Sequence, residues 1–344
     1  MKKKNVINLI KYHVEKNETA FRDEAYAVAK SFCNMGDMQV SEYIMALMSG
    51  VSVFETQESK NDFHFLDKVD VTPTSLPLPE AIQSDIVGAI NAVEYRAGIS
   101  KFLFEGPPGT GKTESAKHFS RILKRNLYAV NFSMIIDSRL GQTQKNIVNL
   151  FSEIKNNLNP LNSVILFDEI DALILNRTDA NDLREMGRAM STFLKEMDLL
   201  NDDIVMIATT NLSKHFDKAL LRRFDAIVDF SRYTLEDLQD IAEYICNQFL
   251  KKFKFAERNN RLLRKIISLM NPVIYPGELK NLIKTSLAFS NPNNQHDYLK
   301  KLYERITSSD SYDKIDLLNK KGFTLREIEI LTGVSKSQIG RILK

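Results

Sequence analysis

The sequence predicts an α/β fold. It reads as a parallel sheet with helices on both faces, followed by a helical domain, with a small helical module at the N-terminus and a bihelical tail at the C-terminus. Two observations carry this. Five short β-like runs, KFLFE (101–105), LYAVNF (127–132), SVILFDE (163–169), IVMIATT (204–210) and AIVDF (226–230), alternate with helical stretches, and such alternation makes neighbouring strands parallel because each crossover helix returns the chain to the same edge. From Thr234 onward the strands stop, and TLEDLQDIAEYICNQF, RLLRKIISLM and GELKNLIKTSLAF place apolar residues at helical spacing.

Each remaining segment has its own signal. Residues 1 to 50 read as a helical partner- or substrate-docking module, with Val6, Leu9, Ile10 and Val14 in one apolar run, Tyr26, Val28 and Phe32 in a second, and Tyr43, Ile44 and Leu47 in a third. Residues 51–78 contain Pro73 and Pro77, show little periodicity and read as a linker. Pro79 then opens a helix in which Ile82, Ile86, Ile90 and Val93 share a face, since proline is tolerated in the first turn. The α/β domain spans 79–232, the helical domain 233–306, opened by a Thr-x-x-Asp capping box at Thr234, and the tail 311–344.

Composition narrows the classes. With 344 residues, 43% hydrophobic and 26% charged, the chain can bury a substantial core and divide into two or three domains. Cys33 and Cys246 stand far apart with no CxxC pair, which argues against a disulfide framework or a zinc site and for the reducing cytoplasm. The basic start MKKKNVINLIKYHVEK has too short an apolar run for a signal peptide, and no stretch reaches membrane-spanning length, so no membrane partner is expected. A net charge of +3 implies no nucleic acid by itself.

The chemistry begins at GPPGTGKT, Gly106, Pro107, Pro108, Gly109, Thr110, Gly111, Lys112 and Thr113, directly after the strand KFLFE and before the helix TESAKHFSRIL, whose Glu114 counts with these residues as cofactor-binding. Glycines there let backbone N–H groups form an anion cradle at a helix N-terminus, Lys112 sets a positive charge on the β and γ phosphates, and Thr113 offers a hydroxyl to Mg²⁺. These residues predict ATP as ligand with Mg²⁺ as its cation and make the fold a P-loop NTPase. The apolar run VILF ends in Asp168 and Glu169, with Asp171 just beyond. Asp168 suits the metal ion, through water, and Glu169 suits a general base that polarises the attacking water. A third strand ends in Asn211, and ALLRRFD carries Arg222 and Arg223. Alone, that asparagine is equally a turn former and the arginines a solvated pair.

Taken together, residues about 65 to 305 resemble an AAA+ ATPase, close to the AAA subgroup that remodels proteins. The resemblance makes Lys112 and Thr113 the Walker A residues, Asp168 and Glu169 the Walker B acids, and Asn211 the sensor-1 asparagine that orients the lytic water. Arg222 and Arg223 resemble the arginine fingers that reach a neighbouring subunit's γ-phosphate, which implies a homo-oligomeric ring, with a hexamer the expected size. Arg188, in EMGRAMSTFLKEMD, stands where the family often has an interface arginine, and Lys280, in PGELK, stands where many AAA+ proteins carry a sensor-2 basic residue that contacts the nucleotide. The chain departs from protein-threading relatives at Arg139, Leu140 and Gly141, where those have an aromatic-hydrophobic-Gly triplet. The missing aromatic puts conventional threading in question, and an arginine there suits an acidic segment or a phosphate backbone instead.

The tail KKGFTLREIEILTGVSKSQIGRILK reads as a helix at 324–331, a turn at 332–335 and a helix at 336–343, and it resembles a resolvase-type helix-turn-helix. Leu325, Ile328, Val334, Ile339 and Leu343 would form its core and leave Lys336, Gln338, Arg341 and Lys344 exposed for DNA. Residues 311–344 hold seven Lys or Arg and four Asp or Glu, and Glu329 sits where such motifs place a small residue. A bihelical protein-contact module is the alternative. Two functions stay open: an ATP hydrolase that remodels a protein substrate or partner enzyme, and an ATP-controlled DNA-binding regulator or assembly factor.

Overall fold

The computed structural model describes residues 3–14, 18–35, 40, 41, 44, 63–71, 77–137, 139, 141–175, 180–213, 216, 218–307 and 314–343. The chain divides into two compact units, Met1–Phe63 and His64–Lys344. In the first, α1 (Lys3–Val14) lies against α2 (Glu18–Asn34). Ala25, Val28 and Ala29 of α2 are buried, and the Asn8 amide donates to the Glu24 carboxylate at 3.1 Å. Ile10 and Val14, expected on the buried face of α1, are exposed. The third apolar run is described only at Ile44; Tyr43 and Leu47 lie outside the described residues.

The second unit is built on a six-stranded sheet: β1 (Leu66–Val69), β2 (Lys101–Glu105), β3 (Asn126–Val130), β4 (Ser163–Phe167), β5 (Val205–Thr210) and β6 (Ala226–Asp229). Their order across the sheet is β1-β3-β4-β5-β2-β6. All pairings are parallel except β1, which runs antiparallel to β3 with Leu66 opposite Val130. The central strands SVILF and VMIATT are buried at every position, as layers on both faces demand. One layer includes α3 (Glu80–Glu94), whose Ile82, Ile86, Ile90 and Val93 pack with Phe102, Phe104, Val164 and Ile207. α4 (Lys112–Ile122) adds Phe119 to the same cluster. Elsewhere in the domain Phe193 of α8 (Ala180–Asp198) meets Phe167 at 5.3 Å and Phe151 of α6 (Gln142–Asn157) at 5.6 Å between ring centroids, both edge-on. The short helices α5 (Phe132–Ile135), α7 (Ala172–Leu175) and α9 (Lys218–Leu221) complete this domain.

Three expectations shift. The segment read as a linker contains β1, too short and too charged in LDKV to announce itself. The strand expected to reach Phe132 stops at Val130, because the Asn131 carboxamide oxygen accepts the Ser133 N–H and starts α5. The strand expected to run through Glu169 stops at Phe167, since Glu169 turns to φ +54°.

The helical domain comprises α10 (Leu235–Leu250), α11 (Asn260–Ile267), α12 (Pro276–Ala288) and α13 (Asp297–Thr307). The Thr234 box forms, with the hydroxyl accepting from Asp237 N and the Asp237 carboxylate accepting from Thr234 N. The tail helices α14 (Lys314–Lys320), α15 (Leu325–Thr332) and α16 (Lys336–Ile342) add Ile315, Leu318, Phe323, Ile328, Leu331 and Ile339 to the same buried cluster as Leu238, Ile266, Leu279 and Leu302. The tail therefore extends the core of this helical domain, the lid of the phosphate site, with Leu325, Val334 and Leu343 half-buried against it. Glu329, a misfit for a motif crossing, serves instead as a cap, since its carboxylate accepts the Lys336 N–H at 3.1 Å at the start of α16. Among the described residues no helix is long and apolar enough to cross a membrane.

Candidate functional site

β2 lies between β5 and β6, and β4 lies beyond β5. The chain leaves β2 toward one side of the sheet and reaches β6 on the other, so a crevice opens at the carboxyl ends of these strands. Every residue of the candidate site hangs from those ends. After β2 the loop Gly106–Gly111 leads into α4, with Gly109 at φ +78° and Gly111 at φ +92°, a left-handed conformation that side chains resist. Thr110 is buried and its hydroxyl donates to the Pro107 carbonyl at 2.9 Å, which fixes the bend beside exposed Pro108.

Lys112 is the first residue of α4, and its ammonium donates to the carbonyls of Gly106 (2.7 Å) and Pro107 (2.8 Å) and to the side-chain oxygen of Asn211 (2.8 Å). Burial pushes it below its usual range, against the opposing charges of Asp171, Asp168 and Glu169. Thr113 donates to Asp168 Oδ1 at 2.8 Å. Of the predicted residues, Lys112 and Asn211 are thus joined by one hydrogen bond and Thr113 and Asp168 by another, with the Asp168 charge felt at Lys112. Glu169, next to Asp168, is exposed. Among the described residues no group of three or more His, Cys, Asp or Glu side chains could hold a metal ion, so Thr113 and Asp168 suit a cation that brings its own phosphate and water oxygens.

Other predicted residues lie apart from these pairs. Glu114 is exposed and pairs with Lys117 at 2.7 Å. Lys280 is exposed on α12, Arg222 is exposed at the end of α9, and Arg223 is held by Asp198 at 2.7 Å. Arg188 is exposed and, with Gln144, Gly187, Ser191 and Thr192, lines an open groove of about 490 Å³. Arg139 forms a two-pronged pair with Asp137, Nε at 3.1 Å and Nη2 at 2.8 Å, which holds that carboxylate down at about 2. Leu140 and Lys344 lie outside the described residues, while Lys336, Gln338 and Arg341 are exposed on α16.

Sequence reasoning gave several groups no role. Buried Asp171 accepts the Thr210 hydroxyl and, at 2.9 Å, the Asn211 N–H, so it fixes the end of β5. Tyr233 donates its hydroxyl to the Thr110 carbonyl at 2.7 Å, and Gly277 donates its N–H to the Gly109 carbonyl at 2.7 Å. These two contacts join the start of the helical domain and the start of α12 to the phosphate loop. A cavity of about 390 Å³ opens beside the loop, lined by Leu78, Gln83, Gly111, His118, Tyr233 and Pro276 among others. No local pattern flags Tyr233 or Gly277, because their partners stand more than a hundred positions away. The adjacent Thr209 and Thr210 before Asn211 were the one visible cue: two hydroxyls closing a buried strand need acceptors.

Comparison with known proteins agrees with this geometry. Residues 102–232 match the model of the ATPase family associated with various cellular activities (AAA). The chain is 38% identical over 133 residues to an uncharacterised AAA family ATPase of Sinorhizobium fredii, covering 39% of each chain. It is 35% identical to a putative 26S proteasome regulatory subunit homologue of Methanothermobacter thermautotrophicus, over 37% of this chain and 34% of that one. It is 29% identical to the peroxisomal ATPase PEX6 of Debaryomyces hansenii, over 63% of this chain and 18% of that one. The chain thus spans well under half the length of these curated relatives. The fold is shared with the AAA domain of FIGL-1 in complex with ADP (TM-score 0.54, 18% identity, 78% of this chain and 95% of that one). It is shared too with a chain of the Escherichia coli HORMA:CdnC:Trip13 complex (TM-score 0.51, 19% identity, 67% of this chain and 88% of that one). Residues 102–232 form an AAA ATPase domain on the AAA+ P-loop NTPase fold.

Proposed function

We propose that the protein hydrolyses ATP at the subunit interfaces of a homo-oligomeric ring, a hexamer by family resemblance, and uses the cycle to remodel or regulate a protein partner. The observation that carries this is the pairing of Lys112 with Asn211 and of Thr113 with Asp168 at the phosphate loop, with the charges of Asp168 and exposed Glu169 felt at Lys112. The phosphate-loop amides and the Lys112 ammonium bind the β and γ phosphates, which are better acceptors for Lys112 than the carbonyls it now contacts. Thr113 and Asp168 would hold Mg²⁺, which when bound neutralises phosphate charge. Glu169 takes the proton of a water whose oxygen attacks the γ-phosphorus, Asn211 orients that water, and the bond from the γ-phosphorus to the bridging oxygen breaks to leave ADP and phosphate. Glu169 is exposed, so the water reaches it from solvent or from the interface with a neighbouring subunit.

Exposed Arg222 supports a role in trans, since it touches nothing in its own site among the described residues. Arg223 and Lys280 are weaker candidates for direct nucleotide contact, the first already engaged by Asp198 and the second exposed on α12. A protein partner is supported by the name of one relative, a putative 26S proteasome regulatory subunit homologue. The DNA-directed reading has only the exposed set Lys336, Gln338 and Arg341 behind it and is not adopted. The test is Glu169→Gln. It should bind ATP with parental affinity, lose hydrolysis and accumulate as the ATP-bound oligomer on gel filtration; turnover at the parental rate removes Glu169 as the base.

A further inference from the structure

We infer that Thr209 is a positioning residue that sets both acids at the end of β4 for hydrolysis, an inference that rests on the hydrolytic reading above. Thr209 is the fifth residue of β5 and is 1% exposed. β4 and β5 pair in register with Phe167 opposite Ala208, so Thr209 stands level with Asp168 where β4 ends. Its hydroxyl donates to Asp168 Oδ1 at 2.7 Å and accepts the Glu169 N–H at 2.8 Å. Its carbonyl accepts the Ile170 N–H at 3.0 Å.

The polarity of this arrangement is forced. A hydroxyl has one proton. The Glu169 amide can only donate, so the threonine proton goes to Asp168, and Asp168 Oδ1 receives two hydroxyls, from Thr209 and Thr113. Both donors go to Oδ1, which leaves Oδ2 without a protein hydrogen bond among the described residues. Glu169 has φ +54°, a conformation that residues with a side chain rarely adopt and that persists only when neighbours hold it. Thr209 holds it from both sides, through its hydroxyl at residue 169 and its carbonyl at residue 170. The turn aims the Glu169 side chain out of the sheet, where it is exposed. One side chain thus locks the direction of the cation-side acid and the backbone that presents the base. Valine would fill the volume without the hydroxyl, and serine would keep the hydroxyl without the methyl.

The experiment compares the parental full chain, Thr209→Val, Thr209→Ser and Glu169→Gln, with Thr209→Ala as a second hydroxyl deletion should the valine variant fold poorly. Thr209→Val should lower kcat by about 10²-fold, the size expected for misplacing a reacting group, with KM for ATP little changed, and Thr209→Ser should recover most of it. Independently of turnover, amide exchange in the nucleotide-free protein should quicken at Glu169 in the valine variant and return in the serine variant. Parental kcat in the valine variant, lost kcat without faster exchange at Glu169, or a serine variant as impaired as the valine one would each overturn the inference. A parental protein that hydrolyses no ATP would fail the hydrolytic reading instead, and the exchange result would still report on the anchor.

Discussion

Replacing Gly277 by alanine should weaken nucleotide binding although alanine is the better helix residue. Gly277 is the second residue of α12, and a Cβ there would stand 2.8 Å from Gly109 Cα and 3.1 Å from the Gly109 carbonyl oxygen. Both neighbours are backbone. Carbon atoms in contact sit about 3.5–4.0 Å apart, so α12 or the phosphate loop must retreat by roughly 0.7 Å or more, stretching the 2.7 Å bond from Gly277 N–H to the Gly109 carbonyl. Overpacking of this kind costs about 1–3 kcal/mol, and the stretched hydrogen bond adds about 0.5–1.5 kcal/mol. Against this, alanine gains up to about 1 kcal/mol in helix propensity. The balance falls on the docked arrangement, because the lid core lies elsewhere. Since 1.4 kcal/mol is about tenfold in affinity, ATP should bind roughly 10–100-fold more weakly. A fluorescent ATP analogue titrated into the full chain measures this, with Gly88→Ala as control: Gly88 lies in α3 with nothing within 4 Å of a built Cβ, so that variant should bind as the parent does. Parental or tighter binding by Gly277→Ala would refute the coupling of α12 to the phosphate loop.

Arg222→Ala should cut hydrolysis by about 10³-fold, the lower end for an arginine finger, and keep ATP bound. Mixing it with Glu169→Gln subunits should restore activity, since an intact Glu169 then meets a neighbour's intact Arg222; mixtures as inactive as either variant would reject action in trans. Glu327, 8% exposed, ties the tail to the lid through Lys265 at 2.7 Å. Burial pushes its carboxyl up, but hydrogen bonds from Lys265 and Thr324 outweigh that and leave it below its usual 4.5. A depressed carboxyl contributes stability above that usual value and loses it on acidification below it. Glu327→Gln should therefore cost about 1.5–3 kcal/mol at neutral pH and flatten the loss of thermal stability as pH falls below 4.5; equally steep curves would assign that loss to other groups.

Residues whose role is strictly local were legible in the sequence. GPPGTGKT needs its glycines and lysine at fixed spacing within a few residues to build one loop, and β2 and β4 begin where the runs KFLFE and SVILF begin, because a strand covered on both faces carries a near-continuous apolar stretch. The box at Thr234 forms within one helical turn. β1 escaped because its stability comes from pairing with β3, and the shared core of lid and tail escaped because helical periodicity says which face is apolar and nothing about what covers it.

The sequence by itself determined the α/β core, the phosphate loop and the identity of the acids, since each follows from spacing along a few consecutive residues. Only the tertiary structure decided that Thr209 anchors Asp168 and Glu169, that Asp171 fixes the end of β5, that Gly277 touches Gly109, and that Arg223 is spoken for by Asp198 while Arg222 stays exposed. Those pairs lie from 25 to 168 residues apart, counting from Asp198 to Arg223 and from Gly109 to Gly277. Their meeting depends on sheet order and on the docking of one domain against another, which no local pattern encodes.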